Sequence, residues 1–173
     1  MKYAAQDELV LALFPASKDL AFVYFEAPLS PIDWGLKHLR SKDKNAQALA
    51  IVERLCNAMR PDVVVIEECV LSKSRRDPRI KRLYSLIAIY AHTENIPLAC
   101  YSRKTVMKTL SESGAVTKRQ IAQMIASNIP AFARHLPGPR KPWNAEDRRL
   151  ALFDAAALAL TYFAFVPSSE EPP

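Results

Sequence analysis

The stretch RPDVVVIEECV, residues 60–70, decides the fold of this chain. Residues 63–66 are a continuous apolar run of the length of a strand, and Pro61 separates this run from the helical pattern before it. Such a run is typical of a strand that is buried on both faces, as in a parallel sheet. The strand ends in Glu67 and Glu68, whose side chains point to opposite faces, so only one of them can face a given cleft.

Upstream of this strand, the sequence predicts three further strands and one helix. Residues 8–14 (ELVLALF) and 20–25 (LAFVYF) are short β-branched and aromatic runs, and a third strand is predicted around residues 32–39. Apolar residues then recur at helical spacing over residues 43–59. Because short turns join the three leading strands, we expect them to form an antiparallel meander.

Downstream, helical patterns alternate with one more strand. The predicted elements are a helix over residues 78–94, a strand over 96–101, short helices over 104–111 and 117–127, an irregular basic loop over 130–143, and a last helix over 144–164. Strands that each follow a helix pair in parallel through right-handed crossovers. The predicted fold class is therefore α/β: a mixed five-stranded sheet, with a three-strand antiparallel meander plus two parallel strands, flanked by helices. One domain is expected over residues 1–166, followed by a disordered tail over 167–173.

The charge of the chain favours a polyanionic partner. The formal net charge is +6 and the sequence pI is about 9.3. Basic residues cluster at 73–82, 102–104, 117–119 and 139–141. Each Lys or Arg that meets a phosphate releases condensed counterions, so clusters of this kind predict nucleic acid binding.

Two further patterns bear on localisation. No apolar run approaches the ~18 residues that cross a bilayer, and Asp7 and Glu8 stand where a signal peptide needs its apolar centre. The cysteines, Cys56, Cys69 and Cys100, are odd in number and far from any histidine cluster, which is typical of reduced, mostly buried thiols. We therefore expect a cytoplasmic protein with no membrane segment.

Asp154 is the second carboxylate of interest because it lies in FDAAALALTYF, an almost wholly apolar helical segment. A carboxylate is costly to bury there unless a cation, a metal ion or a hydrogen bond compensates. One interpretation places Asp154 at the helix edge, paired with Arg148 or Arg149. The other brings it together with Glu67 in a metal site. The residues alone leave both open.

Three pieces of the chain, in this order, resemble the RuvC family of Holliday-junction resolvases, members of the ribonuclease H-like superfamily. RPDVVVIEECV is similar to the family's central strand, which ends in a catalytic Glu. The segment from YSRKTVMKTL to SGAVTKRQIAQMI resembles its basic helical region, and FDAAALALTYF resembles its last helix, whose motif is Asp-Ala-Ala-Asp-Ala-Leu-Ala. The resemblance covers residues 9 to about 163 and implies a ribonuclease H-like fold.

The resemblance also implies a site and a cofactor. It assigns catalysis and metal binding to Glu67 and Asp154, with Mg²⁺ or Mn²⁺ as the ion, and it places Lys108 and Lys118 near the scissile phosphate. It further implies a two-fold dimer through the helix over residues 79–91. With the basic clusters, the expected nucleic-acid-binding residues are Lys73, Arg75, Arg76, Lys108, Lys118 and Arg119.

The chain departs from the family at two catalytic positions. The family opens with Asp-Pro-Gly, whereas this chain has Phe14, Pro15 and Ala16 there. The second Asp of the last-helix motif is here Ala157, one turn after Asp154. The expected four carboxylates become two, and Phe14 cannot ligate a metal.

No other acid is expected to replace the missing ones. Asp147 lies seven residues before Asp154, which is about 10 Å along a helix. Glu68 points to the other face of its strand. Asp19 is expected in the turn beyond the first strand.

Three functions follow as hypotheses. The preferred one is a RuvC-like homodimer that binds branched or structured nucleic acid, with DNA favoured over RNA, and whose nuclease activity is weak or lost. An alternative is an active divalent-metal-dependent endonuclease with a rearranged acidic site. A third is a scaffold or dimerisation protein whose charges serve another protein. Trp34 and Trp143 are interpreted as core or loop anchors in preference to platforms for base stacking.

Overall fold

The structure, a computed structural model, describes residues 8–68, 77–112, 114–115 and 117–166. Its strands are β1 (Val10–Pro15), β2 (Asp19–Ala27), β3 (Ser30–His38), β4 (Val63–Glu67) and β5 (Leu98–Tyr101). They form one sheet in the order β3-β2-β1-β4-β5. The pairs β1–β2 and β2–β3 are antiparallel, and the pairs β1–β4 and β4–β5 are parallel. The predicted mixed five-stranded sheet is confirmed.

Helices cover both faces of this sheet. They are α1 (Lys44–Met59), α2 (Pro78–Thr93), α3 (Arg103–Ser111), α4 (Lys118–Asn128), α5 (Pro130–Ala133) and α6 (Leu150–Phe165). Helices α1 and α2 pack on one face, and α3 to α6 pack on the other. Helix α6 contacts β1, β2 and β4 directly. The central strands are therefore covered on both sides, which explains their continuous apolar sequence.

The alternation of side chains along β4 decides which carboxylate faces α6. Val63 and Val65 belong to the core under α6, whereas Val64 and Ile66 belong to the core under α1 and α2. Glu67 is the next residue in the α6-facing series. Phe14, two residues after Ala12 on β1, belongs to the same α6-facing core.

The last helix begins later than its sequence pattern predicts. It starts at Leu150. Asn144 lies before it in a turn, and the backbone amide of Asn144 donates to the carbonyl of Lys141 at 3.0 Å. Asp147 therefore precedes the helix, and its carboxylate accepts the Arg149 amide at 2.9 Å. The predicted loop over residues 130–143 also contains the short helix α5. The helix was predicted to start too early because Asn144 resembles an N-cap, whereas a local turn with Lys141 uses its amide.

The cysteines agree with the prediction only in part. Cys56 is buried, but Cys100 is exposed on the edge strand β5, so the expectation of buried thiols was wrong there. Cys69 lies outside the described residues. Within the described part of the chain, none of the helices combines the length and the apolar character that a membrane span needs.

Helix α2 was expected to form a dimer contact. Ser85 and Ile89 are exposed on it, whereas Ala91, near its C-terminal end, is buried. A dimer through the exposed face therefore stays a prediction, which sedimentation equilibrium of the whole chain would test.

Candidate functional site

A small cavity lies between α6, the start of α3 and the C-terminal ends of β1 and β4. Its volume is about 30 Å³, room for about two water molecules. The polar residues that line it are Glu67, Arg103, Lys118 and Asp154. Phe14 and Ala157 are part of its apolar lining, so both positions at which the chain lacks an expected acid face this cavity.

Strand pairing and helix geometry bring these residues together. β1 and β4 are parallel neighbours, so Phe14 and Glu67 lie near the same edge of the sheet. Asp154 and Ala157 are three residues apart on α6 and share one helix face, which packs over that edge. The predicted carboxylates, Glu67 and Asp154, thus line one cavity.

Lys118, the first residue of α4, reaches into the site from the other side. Its Nζ atom lies 2.7 Å from Asp154 Oδ2 and 2.7 Å from Glu146 Oε1. The same ammonium lies 6.0 Å from the centroid of the Phe14 ring, within the range of a cation–π contact. Lys118 therefore supplies the positive charge beside Asp154.

Asp154 depends on this ammonium. Its side chain is 13% exposed. Burial raises the pKa of Asp154 above its usual value, against the opposing charges of Lys118 and Arg103. Among the described residues, no donor meets Oδ2 with the alignment of a hydrogen bond. The 2.7 Å ion pair is thus the main compensation for burying this carboxylate.

Solved structures share this architecture at low sequence identity. Thermus thermophilus RuvC in complex with a Holliday junction substrate superposes with a TM-score of 0.64 at 19% identity, over 89% of this chain and 92% of that chain. The yeast mitochondrial Holliday-junction resolvase gives 0.63 at 14% identity, over 94% of this chain and 80% of that chain. The fold is RuvC-like. The fowlpox virus Holliday-junction resolvase gives 0.56 at 14% identity, over 90% and 97%. The sequence matches no family model.

On this RuvC-like fold, the carboxylates do not fit a pair of divalent ions. Two-metal phosphodiester chemistry needs several oxygen ligands that converge on ions ~3.5–4 Å apart. The described residues contain no group of three or more His, Cys, Asp or Glu side chains that could hold a metal ion. An aromatic ring at Phe14 and a methyl group at Ala157 offer no ligand, and an ammonium lies against Asp154. The implied Mg²⁺ or Mn²⁺ therefore does not match this donor set.

The alternative partners considered for Asp154 are used elsewhere in the RuvC-like fold. Arg149 pairs with Asp147, with 2.8 Å between Nη2 and Oδ2. Arg148 pairs with Asp19 instead. The interpretation of Asp154 as a helix-edge residue paired with either arginine was therefore wrong.

Asp19 is a buried carboxylate that pairs with the more exposed side chains of Arg148 and His38, an arrangement that the sequence does not reveal. It is the first residue of β2, not a turn residue as expected, and its side chain is 3% exposed. Arg148 Nε donates to its Oδ2 at 2.7 Å, and His38 Nδ1 lies 3.0 Å from its Oδ1. Burial alone would raise the pKa of Asp19, but Arg148 and His38 outweigh it and lower the pKa. The arrangement ties the sheet to the segment that enters α6, and no local pattern predicts a contact across 129 residues.

The expected nucleic-acid-binding residues fall in different places. Lys108 is exposed on α3, beside Lys104, and outside the cavity. Arg119 donates to the carbonyls of Pro137 and Gly138, so it holds a loop. Lys73, Arg75 and Arg76 lie outside the described residues.

Sequence reasoning missed Arg103 as a site residue. It is the first residue of α3 and lines the cavity. The basic cluster over residues 102–104 is the signal that could have found it.

The two tryptophans differ. Trp34 is an anchor, as expected: its ring packs edge-on against Phe132 at 5.2 Å, and its Nε1 donates to His135 at 3.2 Å. Trp143 is 77% exposed, so its interpretation as a packed anchor was wrong.

Proposed function

We propose that this protein binds branched DNA on its RuvC-like scaffold and has weak or no nuclease activity. The observation that carries the proposed loss of nuclease activity is the Lys118 ammonium, 2.7 Å from the carboxylate of Asp154. By the resemblance, that carboxylate is one of those that hold a catalytic metal ion. Here an internal cation neutralises it, and the side chains at positions 14 and 157 cannot replace the missing oxygens.

The loss of activity follows from magnitudes. Metal ions in such sites stabilise the charge that develops on the attacking and leaving oxygens, and this is worth several kcal/mol. Each ~1.4 kcal/mol changes the rate tenfold. A site that loses about 4 kcal/mol of this stabilisation is therefore slower by about a thousandfold.

DNA binding does not depend on that chemistry. Phosphate contacts by Lys and Arg position a nucleic acid without any reaction. The net charge is +6, and Lys104 and Lys108 are exposed on α3, the helix whose first residue, Arg103, lines the cavity. The Thermus thermophilus RuvC of the same fold was solved with a Holliday junction substrate. These observations support a four-way junction as the preferred form of DNA.

The binding surface can be tested with a matched pair of double variants. Lys104→Ala/Lys108→Ala removes two exposed positive charges on α3. Lys42→Ala/Arg54→Ala removes two exposed charges on the α1 side of the sheet. Each phosphate contact adds about 0.9 to the slope of log affinity against log salt, so the first variant should lower that slope by about 2. Fluorescence anisotropy of a labelled four-way junction at rising salt measures it.

The control variant should leave the slope within about 0.5 of the parent. Equal losses in both variants would mean that the charge acts from no particular surface, as expected for a scaffold protein. Failure of the parent chain to bind the junction at low salt would refute DNA binding.

A further inference from the structure

Trp143 is the most exposed large hydrophobic side chain among the described residues, at 77%. Single exposed apolar residues are common on proteins and need no function. The surroundings of Trp143 make it different. It lies in the basic loop PGPRKPWN, residues 137–144, which is held in place beside the candidate site.

The loop presents Trp143 on a fixed backbone. Arg119 Nη1 donates to the carbonyl of Gly138 at 2.9 Å. Arg140 Nε donates to the carbonyl of Asn144 at 2.6 Å, so the two ends of the Trp143 turn are tied together. The loop also contains three prolines, which restrict its backbone. Binding of a ligand to the ring therefore requires little loss of conformational entropy in the loop.

The charges around the ring favour an anionic ligand with an aromatic group. Lys141 Nζ lies 5.6 Å from the centroid of the Trp143 ring, a cation–π distance. Arg140 is exposed on the same loop. An aromatic face flanked by Lys and Arg is the arrangement on which proteins stack unpaired bases while they contact the adjoining phosphates.

The loop lies beside the candidate site: an ion pair links the residue that follows it to Lys118, and an open cavity lies between the loop and α4. Glu146, just after the loop, holds Lys118 at 2.7 Å. A cavity of about 440 Å³ lies between the loop and the start of α4, and Lys118, Arg140 and Asn144 line it. This volume is within the range of pockets that take small ligands. The loop that carries Trp143 therefore borders the candidate site.

We propose that Trp143 stacks on an unpaired nucleobase next to the branch point of the bound DNA, while Arg140 and Lys141 contact the adjoining phosphates. This inference rests on the proposed DNA binding and adds the form of DNA that the site prefers: a branch with unpaired nucleotides. A fully paired linear duplex offers no free base face to the ring, so it would not engage Trp143.

Fluorescence can follow Trp143 alone. The chain has two tryptophans, so Trp34→Phe leaves Trp143 as the single reporter. We expect a four-way junction with unpaired nucleotides at its branch to quench this emission at saturation, and a linear duplex of equal length to leave it unchanged. Trp143→Phe, in which only Trp34 reports, should show no quenching with either probe.

Affinity gives a second readout that does not depend on Trp34. Trp143→Leu should bind the junction with unpaired nucleotides about tenfold more weakly, and Trp143→Phe should stay within about threefold of the parent because it keeps an aromatic face. The side chain is exposed, so circular dichroism should show both variants folded. Equal losses on the linear duplex would instead indicate an effect on phosphate contacts and would refute stacking.

The outcomes separate the two proposals. If the parent binds the junction but Trp143→Leu binds it equally well and the Trp143 emission does not change, stacking is wrong and the proposed DNA binding stands. Equal quenching by the linear duplex also refutes stacking on unpaired bases. If the parent chain binds neither probe, both proposals are wrong.

Discussion

Lys118→Met is expected to lower the free energy of unfolding by about 3 kcal/mol, because it leaves the Asp154 carboxylate buried without its closest cation. Asp154 is only 13% exposed, and Lys118 Nζ lies 2.7 Å from it. Met preserves most of the length and apolar character of the lysine stem, so the variant mainly removes the charge. Urea unfolding at neutral pH, followed by circular dichroism, measures the loss.

Two controls identify the origin of this loss. Glu146→Gln removes the other carboxylate beside Lys118. The Glu146 side chain is 48% exposed, so this variant should lower the free energy of unfolding by less than about 1 kcal/mol, as is typical of surface ion pairs. Adding Asp154→Asn to Lys118→Met should recover most of the loss, because the buried charge is then gone. A Lys118→Met variant as stable as the parent, or one that Asp154→Asn does not rescue, would show that the ion pair does not support the fold.

The loss should also depend on pH with a definite sign. Burial raises the pKa of Asp154 above the usual 3.8, and Lys118 opposes that shift. A carboxyl whose pKa is raised in the folded state lowers stability at pH values above its folded pKa. This penalty disappears as the pH falls through the folded pKa towards 3.8. Lys118→Met enlarges the penalty, so its stability deficit should be full at neutral pH and shrink in acid.

The double variant Phe14→Asp/Ala157→Asp is expected to bind a divalent metal ion more tightly than the parent, whose carboxylates we propose are too few for this. Both positions line the cavity with Glu67 and Asp154, so four carboxylates would face one space. Without metal their repulsion should make the variant less stable than the parent. With Mn²⁺ at about 100 times its dissociation constant, binding should return about 2.7 kcal/mol. For a chain of this length, that corresponds to a rise of about 5–10 °C in the melting temperature.

Differential scanning fluorimetry with and without Mn²⁺ tests this gain. The matched control is Phe14→Asn/Ala157→Asn, which makes similar changes in size without the charge and should show little response to Mn²⁺. Chelation of the ion should reverse the effect in the carboxylate variant. An equal rise in the melting temperature of the parent would mean that Glu67 and Asp154 already hold the ion, contrary to the expected loss of metal binding.

The fold was predictable because its strongest patterns are local. The uninterrupted apolar run of β4 predicts a strand with both faces buried. Alternate side chains of β1 and β4 do contribute to the two cores on opposite faces of the sheet. Thr117 caps α4 through a reciprocal pair of hydrogen bonds with Gln120, again a local signal. The start of α6 was missed because Asn144 resembles an N-cap, although its amide is used in a turn with Lys141.

The sequence predicted which carboxylates line the site, but not the contacts that they make there. The resemblance placed Glu67 and Asp154 at one cavity, and the structure brings them there. It could not give the contact between Lys118 and Asp154, because the two residues are far apart in sequence and their meeting depends on how α4 packs against α6. The pairing of Asp19 with Arg148 was not predicted for the same reason. Charge pairs across distant elements leave no periodic pattern.

The most direct test of the central claim is to measure binding and cleavage of one labelled four-way junction in the same Mn²⁺-containing sample. We expect the parent to bind the junction. Because an ammonium lies against Asp154 and two carboxylates are missing, we also expect the parent to cleave it no faster than the variant Glu67→Gln/Asp154→Asn does. Cleavage by the parent that disappears in Glu67→Gln and separately in Asp154→Asn would contradict the claim, since these carboxylates would then be holding a working metal ion.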